Sequence, residues 1–368
     1  MLLRRTVVVK AGRGRGGVIA RIVRLAARMS SMSVVTRRPR TALAMMAGLL
    51  DSALPDGRRD RLAEVADVID WDPLESLTDD RAAEVLRDAE VLVGHWGCPT
   101  LNADVLELAP ELRMFAYAAG TVKWQVTDAV WGRGLLVTSA AAANAVPVAE
   151  YTLAAILFAN KGVFSFAALE RDRQSLVPLP FERFGSVGRR VGLVGASHVG
   201  RLVIDLLAGR EMDVAVADPF LSDAEAARLG VRRMELDDLC AWCDVLSLHA
   251  PDIPETKHMI GAEQLALLQD GVTLINTARG ALVDPDALIA ELSTGRLAAV
   301  LDVTEPEPLP SDSVLRGLPN VVLTPHVAGA VGSELVRLAD LAIDEIARYA
   351  GGEPPRYPVR REDLDRIA

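Results

Sequence analysis

The chain has 368 residues, half of them apolar and 24% charged, which is the composition of a soluble globular protein. This length exceeds what one hydrophobic core usually holds, so we expect two domains. The formal net charge is -10, but the first fifty residues contain eleven Lys or Arg and no Asp or Glu, which leaves roughly -21 on the remainder. So acidic a body disfavours nucleic acid as the main partner.

Residues 1–40 are rich in Arg, Gly and Ser and lack a sustained amphipathic pattern, so we expect a disordered basic arm. Two other interpretations stay open. Arg37 and Arg38 precede a short apolar stretch, as in a twin-arginine targeting signal, and translation could instead begin at Met29 or Met32. No run of eighteen apolar residues exists in the sequence, so we predict no membrane span and a cytoplasmic protein.

Three cysteines do not indicate a protein built on disulfides. Cys240 and Cys243 form a CxxC at helical spacing, with no second Cys or His pair nearby in ligand register. We therefore expect helix packing there and no metal site.

From Thr41 onward, short apolar runs alternate with helix-like segments, which predicts a small α/β unit. Its strands are expected at 41–46, 68–71, 91–93, 114–118 and 135–138. The segment 147–161 then predicts one long apolar helix with Pro147 in its first turn. A helix that is apolar nearly all round must be buried, between domains or in a subunit interface.

A second α/β series begins at Val191, after a loop at 174–188. Its strands are expected at 191–194, 214–217, 245–248, 272–275, 298–301 and 321–323, and the chain ends in a helix at 332–349. Regular alternation of strands and helices implies a parallel sheet covered on both faces.

A glycine-rich loop, VGLVGASHVGR, joins the strand at Val191 directly to a helix. A phosphate can bind at that helix N-terminus, where Gly195 allows the tight turn and Gly200 lets the helix pack on the strand. The next strand ends at Asp218-Pro219, and an acidic group there binds ribose hydroxyls and repels a 2′-phosphate. This favours NAD over NADP. Ser197 replaces the middle glycine of G-x-G-x-x-G, so its Cβ should crowd a pyrophosphate, although its hydroxyl can donate to one.

Three polar residues stand where apolar strands should end: Arg279, Glu307 and His326. Ligands of open α/β sheets bind outside the carboxyl ends of the strands. Arginine clamps a carboxylate, histidine moves a proton near neutral pH, and a carboxylate tunes the histidine. Taken singly, each has a structural explanation as an ion pair, a loop charge or a turn. Together, behind a dinucleotide loop, they predict an acid/base set for hydride transfer.

These motifs resemble those of the D-isomer-specific 2-hydroxyacid dehydrogenase family from about Thr41 to Tyr349. The resemblance is carried by VGLVGASHVGR, LHAP, INTARGALVDPDAL, LDVTEPEPLP and TPHVAG. It implies a Rossmann-type NAD-binding domain at 146–326, inserted in a flavodoxin-like substrate domain at 41–145 plus 327–368. The two domains are expected to enclose a cleft, and the protein to be a homodimer.

The resemblance also implies residue roles. His326 exchanges a proton with the hydroxyl or oxo group of a small 2-hydroxy or 2-oxo acid, Glu307 favours its charged form, and Arg279 holds the substrate carboxylate. Substrate contacts are implied for the backbone N–H groups of Gly120, Thr121 and Val122. Cofactor contacts are implied for Gly195, Ser197, His198, Val199, Gly200, Asp218, Pro219, His249, Ala250, Pro251, Thr256, Thr277, Ala278, Arg279, Asp302 and His326, with Asp302 facing the nicotinamide.

Two loops depart from the family pattern. Residues 120–125 read GTVKWQ where the family often has GVGVDN, and 94–98 read GHWGC, without the arginine expected in phosphoglycerate-type members. The second departure weighs against 3-phosphoglycerate as the substrate. Trp96, Trp124 and Tyr117 suggest a roomier apolar pocket, although core packing explains Tyr117 equally well.

Two other functions occur on the same fold. Formate dehydrogenases carry glutamine where Glu307 stands, which argues against that branch. An NAD(H)-sensing or corepressor-like protein with little turnover stays open, because Ser197 and the basic arm are unusual.

Overall fold

The computed structural model describes residues 37–171 and 184–364. The expected arm at 1–40 therefore lies outside the described residues except for its last four. Most of the expected loop at 174–188 also lies outside them. Strand β1 begins at Arg40, shortly after this boundary.

The first sheet has six strands. They are β1 (Arg40–Ala44), β2 (Asp67–Val68), β3 (Val91–Gly94), β4 (Met114–Tyr117), β5 (Leu136–Ser139) and β13 (Pro358–Val359). Their order is β13-β5-β4-β3-β1-β2, and every pairing is parallel except that of β13 with β5. Without β13, this is the strand order of flavodoxin-like folds.

The second sheet has seven parallel strands. They are β6 (Arg189–Val194), β7 (Met212–Ala217), β8 (Arg232–Arg233), β9 (Val245–Leu248), β10 (Thr273–Asn276), β11 (Ala298–Leu301) and β12 (Val321–Leu323). The order β12-β11-β10-β9-β6-β7-β8 reverses direction between β6 and β9. This is the doubly wound arrangement of dinucleotide-binding domains, which bind their ligand at the reversal. The predicted α/β fold class with two parallel sheets is confirmed.

Helices connect the strands. They are α1 (Leu50–Ala53), α2 (Asp56–Val65), α3 (Asp80–Arg87), α4 (Ala103–Leu108), α5 (Asp128–Gly132), α6 (Ala141–Asn160), α7 (Val163–Arg171), α8 (His198–Leu207), α9 (Asp223–Leu229), α10 (Leu236–Trp242), α11 (Ala262–Leu267), α12 (Pro285–Ser293) and α13 (Leu335–Ala350). Short 3₁₀ turns lie at Pro254–Thr256, Gly280–Leu282, Val314–Arg316, Gly332–Glu334 and Arg361–Asp363.

Both sheets are buried on both faces. In the second sheet, Leu193 and Ile275 pack towards α6 and α8, while Leu246 and Leu274 pack on the opposite side. In the first sheet, the C-terminal helix α13 covers one face. The chain therefore returns to its first sheet after completing the second. The exact domain limits expected from the sequence stay a prediction.

Helix α6 begins six residues earlier than expected. The prediction that Pro147 lies in its first turn is wrong, because the alanine run at 140–143 has high helix propensity and extends the helix upstream. Pro147 sits inside the helix, where it removes one backbone donor. Among the described helices, α6 alone could cross a membrane by length and composition, but Ile156 and Ala159 pack in the core beside the second sheet.

Smaller differences concern element ends. Strand β2 spans Asp67–Val68 rather than 68–71, and α13 begins at Leu335, after a 3₁₀ turn, rather than at 332. Cys240 and Cys243 are fully buried at α10 with free thiols, as helix packing predicts.

Candidate active site

The loop from β6 to α8 is built around two glycines that tolerate no side chain. Gly195 has a φ of +98°, and a Cβ there would lie 2.8 Å from the backbone N of Ala250 and 2.9 Å from the carbonyl carbon of His249. A Cβ on Gly200 would lie 2.2 Å from the carbonyl oxygen of Gly195. The loop is therefore pressed against the end of β9, at the reversal of strand order.

Ser197 is the N-cap of α8. Its backbone is extended, and its Oγ accepts a hydrogen bond from the N–H of Gly200 at 3.4 Å. This bond satisfies one of the free donors of the first turn, which begins with His198 and Val199. A side-chain cap explains why serine is tolerated at this position. The sequence does carry a local signal for this cap, since serine is a preferred N-cap residue and Gly200 lies three positions later.

Asp218, at the end of β7, braces the glycine loop. Its Oδ2 accepts a hydrogen bond from the N–H of Ala196 at 2.7 Å, and its Oδ1 accepts one from the N–H of Phe220 at 2.8 Å. Each carboxylate oxygen keeps further acceptor capacity for a ribose hydroxyl. The glycine cradle, the helix N-terminus and this carboxylate together fit a dinucleotide.

His249 and Thr256 belong to the loop after β9. The imidazole of His249 is buried, its Nε2 lies 3.1 Å from the Oγ of Ser247, and burial lowers its pKa to about 3. It is therefore neutral at physiological pH and unsuited to be the proton carrier. The hydroxyl of Thr256 donates to the carbonyl of Pro251 at 2.6 Å, which closes the loop.

Arg279 follows β10 and is partly buried. Its Nη1 donates to the carbonyl of Ala278 at 2.6 Å. Burial lowers the pKa of Arg279, while the charges of Asp252 and Glu307 act in the opposite direction. A guanidinium stays cationic despite such a shift. Among the described residues, its other N–H groups donate no hydrogen bond, so the charge can receive an anion.

Glu307 and His326 form a direct pair. Nδ1 of His326 lies 2.7 Å from Oε1 of Glu307. The side chain of His326 is 49% exposed and that of Glu307 is 43% exposed. The φ of His326 is +55°, a conformation that few non-glycine residues adopt. Its N–H donates to the carbonyls of Asp302 at 2.9 Å and Thr324 at 3.1 Å, which holds this turn.

Asp302 holds the same turn through hydrogen bonds. Its buried carboxylate accepts hydrogen bonds from the N–H groups of Val327 and Ala328, both at 2.9 Å, and from the hydroxyl of Thr324 at 2.6 Å. The carboxylate of Asp302 is therefore used to hold the backbone around His326. The contact of Asp302 with a nicotinamide stays a prediction.

A second histidine–carboxylate pair is formed by His258 and Glu305. Glu305 lies two residues before Glu307 in the chain. Nε2 of His258 lies 2.8 Å from Oε2 of Glu305, and Lys257 is 3.9 Å from the same carboxylate. In the described part of the chain, His258 and His326 are the non-glycine residues with positive φ. Sequence reasoning did not find this pair, because its partners are 47 residues apart.

The predicted substrate loop lies after β4. Among the described residues, the N–H groups of Gly120, Thr121 and Val122 donate no hydrogen bond; Gly120 and Thr121 are partly exposed, whereas Val122 is fully buried. The hydroxyl of Ser139 donates to the carbonyls of Ala119 and Gly120 and holds the loop from behind.

The outer part of this loop reaches the other sheet. Lys123 Nζ donates to the carbonyl of Asp252 at 3.1 Å, and the side chain of Trp124 is 76% exposed. Trp96 is partly buried against the core of the first sheet. Tyr117 is buried beside Phe115, so core packing is the correct interpretation of that residue.

The site and the fold define a two-sheet, dinucleotide-binding α/β protein. A family model described as "D-isomer specific 2-hydroxyacid dehydrogenase, NAD binding domain" matches residues 153–328. The chain belongs to the D-isomer-specific 2-hydroxyacid dehydrogenase family, and its cofactor class is NAD(H).

Individual relatives agree with this assignment. A D-3-phosphoglycerate dehydrogenase of Mycobacterium tuberculosis (strain ATCC 25618 / H37Rv) is 36% identical over 272 residues, 74% of this chain and 51% of the relative. A glyoxylate reductase of Korarchaeum cryptofilum (strain OPF8) is 34% identical over 284 residues, 76% of this chain and 85% of the relative. A crystal structure of a protein from Thermus thermophilus superposes with a TM-score of 0.69 at 30% identity, covering 87% of this chain and 100% of that one.

The chain spans about half the length of the curated D-3-phosphoglycerate dehydrogenases that it matches. It spans most of the glyoxylate reductase.

Proposed function

We propose that this protein is an NAD(H)-dependent oxidoreductase that interconverts a 2-hydroxy acid of the D configuration and the corresponding 2-oxo acid. The observation that carries the proposal is the hydrogen bond of 2.7 Å between His326 Nδ1 and Glu307 Oε1. The charge of Glu307 also acts on Arg279, at the end of the neighbouring strand β10. A proton carrier and a carboxylate clamp on one sheet edge are what a 2-oxo acid requires.

His326 exchanges the proton in this mechanism. A carboxylate accepts hydrogen bonds, so the Nδ1–H of His326 donates to Glu307, and Nε2 is the nitrogen left for the substrate. In reduction, Nε2–H protonates the oxygen at C2, and in oxidation neutral Nε2 takes the hydroxyl proton. Glu307 fixes the ring orientation and stabilises the imidazolium between these steps.

Arg279 binds the substrate carboxylate through its planar N–H groups and polarises the oxygen at C2. The N–H groups of Gly120, Thr121 and Val122 add donors from the first sheet. When bound, the nicotinamide supplies the hydride-exchanging carbon. Gly195, Gly200 and Asp218 hold and orient the rest of the dinucleotide, and Asp218 disfavours a 2′-phosphate.

The substrate class is a non-phosphorylated 2-oxo acid. The relatives suggest 3-phosphoglycerate and glyoxylate, but the loop 94–98 offers no Lys or Arg for a phosphate, and it places partly buried Trp96 there instead. We also propose a homodimer, because the apolar helix α6 leaves Phe158 49% exposed. The cytoplasmic location stays a prediction. Size-exclusion chromatography with light scattering tests the assembly.

The activity is tested with purified protein, NADH and a panel of 2-oxo acids that includes glyoxylate, by following NADH absorbance. We expect turnover with at least one acid and a loss of about 10² to 10⁴ in kcat for His326→Ala, the usual contribution of a positioned acid/base. A loss below about tenfold contradicts the role of His326. Binding of NADH without turnover of any 2-oxo acid favours the NAD(H)-sensing, corepressor-like alternative instead.

A further inference from the structure

Two adjacent residues of α6 hydrogen-bond to the two strand ends that carry Arg279 and His326. The hydroxyl of Tyr151 lies 2.8 Å from Oγ1 of Thr324, and Oγ1 of Thr152 lies 3.0 Å from Oγ1 of Thr277. Thr277 precedes Arg279 by two residues, and Thr324 precedes His326 by two residues. One helix therefore contacts both functional segments at equivalent places.

The direction of the Tyr151 bond follows from the next partner. The hydroxyl of Thr324 donates its one proton to the carboxylate of Asp302 at 2.6 Å, so Tyr151 must donate to Thr324. Asp302 in turn accepts the N–H groups of Val327 and Ala328. This network of hydrogen bonds links α6 through Thr324 and the accepting carboxylate of Asp302 to the turn that holds His326 at positive φ.

The Thr152 bond is the more deeply buried of the two. Thr152 is 0% exposed and Thr277 is 7% exposed. A hydroxyl buried without a partner is unfavourable, so each threonine fixes the other. The bond fixes the end of β10, where the chain turns towards Arg279.

The same helix also contacts the substrate side. Asn144 Oδ1 accepts the N–H of Ala330 at 2.9 Å, and its Nδ2 lies 3.6 Å from the place a Cβ would take on Gly120. Asn144 and Tyr151 are two turns apart and so lie on one side of the helix. The helix continues through Pro147 without a break, so one element contacts these segments and can fix the distances between them.

We propose that Tyr151 and Thr152 are positioning residues that set the separation of Arg279 from His326. The proposal rests on the proposed function. A 2-oxo acid presents its carboxylate and its carbonyl oxygen on adjacent carbons. Arg279, which binds the carboxylate, and His326, which donates the proton, must therefore lie at a fixed distance from each other. A misplacement of about 1 Å can cost about 10²-fold in rate.

The test compares Tyr151→Phe and Thr152→Val with matched controls. Tyr349→Phe removes a tyrosine hydrogen bond of 2.6 Å to Glu90 in the first sheet's domain, and Thr41→Val removes the hydroxyl of a fully buried threonine. We expect kcat for the 2-oxo acid to fall about tenfold in the two test variants, with KM for NADH changed less than about twofold. The controls are expected to keep parental kcat.

Three further measurements separate positioning from stability. Thr152→Ser keeps a hydroxyl and is expected to restore most of the activity that Thr152→Val loses. Tyr151→Phe combined with Thr324→Val is expected to cost no more than the larger single effect, because both changes act on the same hydrogen-bond network. In Tyr151→Phe, the NMR chemical shift of the His326 ring carbon is expected to move, whereas it stays constant in Tyr349→Phe.

The outcomes are distinct. If Tyr151→Phe and Thr152→Val keep parental kcat, or lose only melting temperature as the controls do, the positioning proposal is wrong. If Tyr151→Phe does not fold, the comparison of Thr152→Val with Thr152→Ser decides alone. If Thr152→Val does not fold, the kcat of Tyr151→Phe and its His326 ring-carbon shift decide. Retention of full turnover by His326→Ala in the same series overturns the proposed function instead.

Discussion

The carboxyl edges of the two sheets are built differently. On the second sheet, Arg279, Glu307 and His326 lie on segments joined by buried hydrogen bonds through Asp302 and a close backbone contact at Gly280. On the first sheet, the edge consists of loops that offer backbone N–H groups and the exposed ring of Trp124.

The difference matches two chemical tasks. Proton transfer needs fixed distances and angles, and buried, fully bonded polar groups supply them. Recognition of the rest of a substrate needs a surface of the right shape, which loops can change without disturbing the fold. We therefore propose that the second sheet carries the reaction and that the loops of the first sheet carry the selectivity.

The largest expected effect is that of Gly280→Ala, a substitution at the rigid carboxyl edge of the second sheet. A Cβ there would lie 2.1 Å from the carbonyl carbon and oxygen of Thr304, so backbone must move. We expect turnover to fall more than about 10²-fold, as assayed with NADH and the best 2-oxo acid. Gly57→Ala in α2 is the control, because nothing lies within 4 Å of its added Cβ. Equal activity of both variants would show that the edge is not rigid.

Glu307→Gln is expected to have the next largest effect. Glutamine can still accept a hydrogen bond from His326 but carries no charge, so the imidazolium is less stabilised. Turnover is expected to fall about tenfold to hundredfold, and reduction to lose activity at a lower pH than in the parent. The readout is kcat/KM against pH.

Glu305→Gln is the matched control for this change. Glu305 is paired with His258 at 2.8 Å, two residues away from Glu307 on the same segment. A loss as large as that of Glu307→Gln, with the same pH shift, would assign the effect to the segment rather than to the His326 partner.

The fold was largely predictable because buried parallel strands produce continuous apolar runs. The predicted ranges 245–248, 298–301 and 321–323 coincide with β9, β11 and β12. The start of α6 was not predicted, because the proline signal at Pro147 was weighed above the alanine run before it. The two-residue strand β13 carries no pattern, since its pairing depends on a distant partner, β5.

The site was predictable only in part. Arg279, Glu307 and His326 stand in local motifs, and their roles stay a prediction. The bonds of Tyr151 to Thr324 and of Thr152 to Thr277 join residues 173 and 125 positions apart, and no local pattern encodes such a pair. The cap at Ser197 differs, because its partner Gly200 is three residues away. The sequence therefore carries a signal for the local cap at Ser197 but none for the long-range pairs of Tyr151 and Thr152.

Each sheet also buries one neutral histidine, which predicts a pH dependence of stability. Burial lowers the pKa of His95 to about 4 and that of His249 to about 3, from 6.5. The unfolded chain therefore binds more protons below pH 6.5, and the stabilising contribution present above 6.5 is lost as the pH falls towards 4. At about pH 5.5 each histidine is expected to lower the free energy of unfolding by about 1 kcal/mol.

Chemical denaturation between about pH 7.5 and 5.5 measures this loss. His95→Gln and His249→Gln are each expected to flatten the decline, whereas His198→Gln, at an exposed position, is the control that leaves it unchanged. A parental decline in either buried variant would show that its histidine is protonated in the folded state.

The smallest expected effect lies at the edge of the first sheet. Lys123→Met removes the bond of 3.1 Å to the carbonyl of Asp252, which joins the loops of the two sheets. The freed loop must be ordered again when substrate binds, so KM for the 2-oxo acid is expected to rise about threefold to fivefold while kcat changes less than about twofold. Lys161→Met, beyond the end of α6, is the control. A fall in kcat with KM unchanged would mean that the first sheet shares in the chemistry, and the division between a reacting edge and a selecting edge would have to be abandoned.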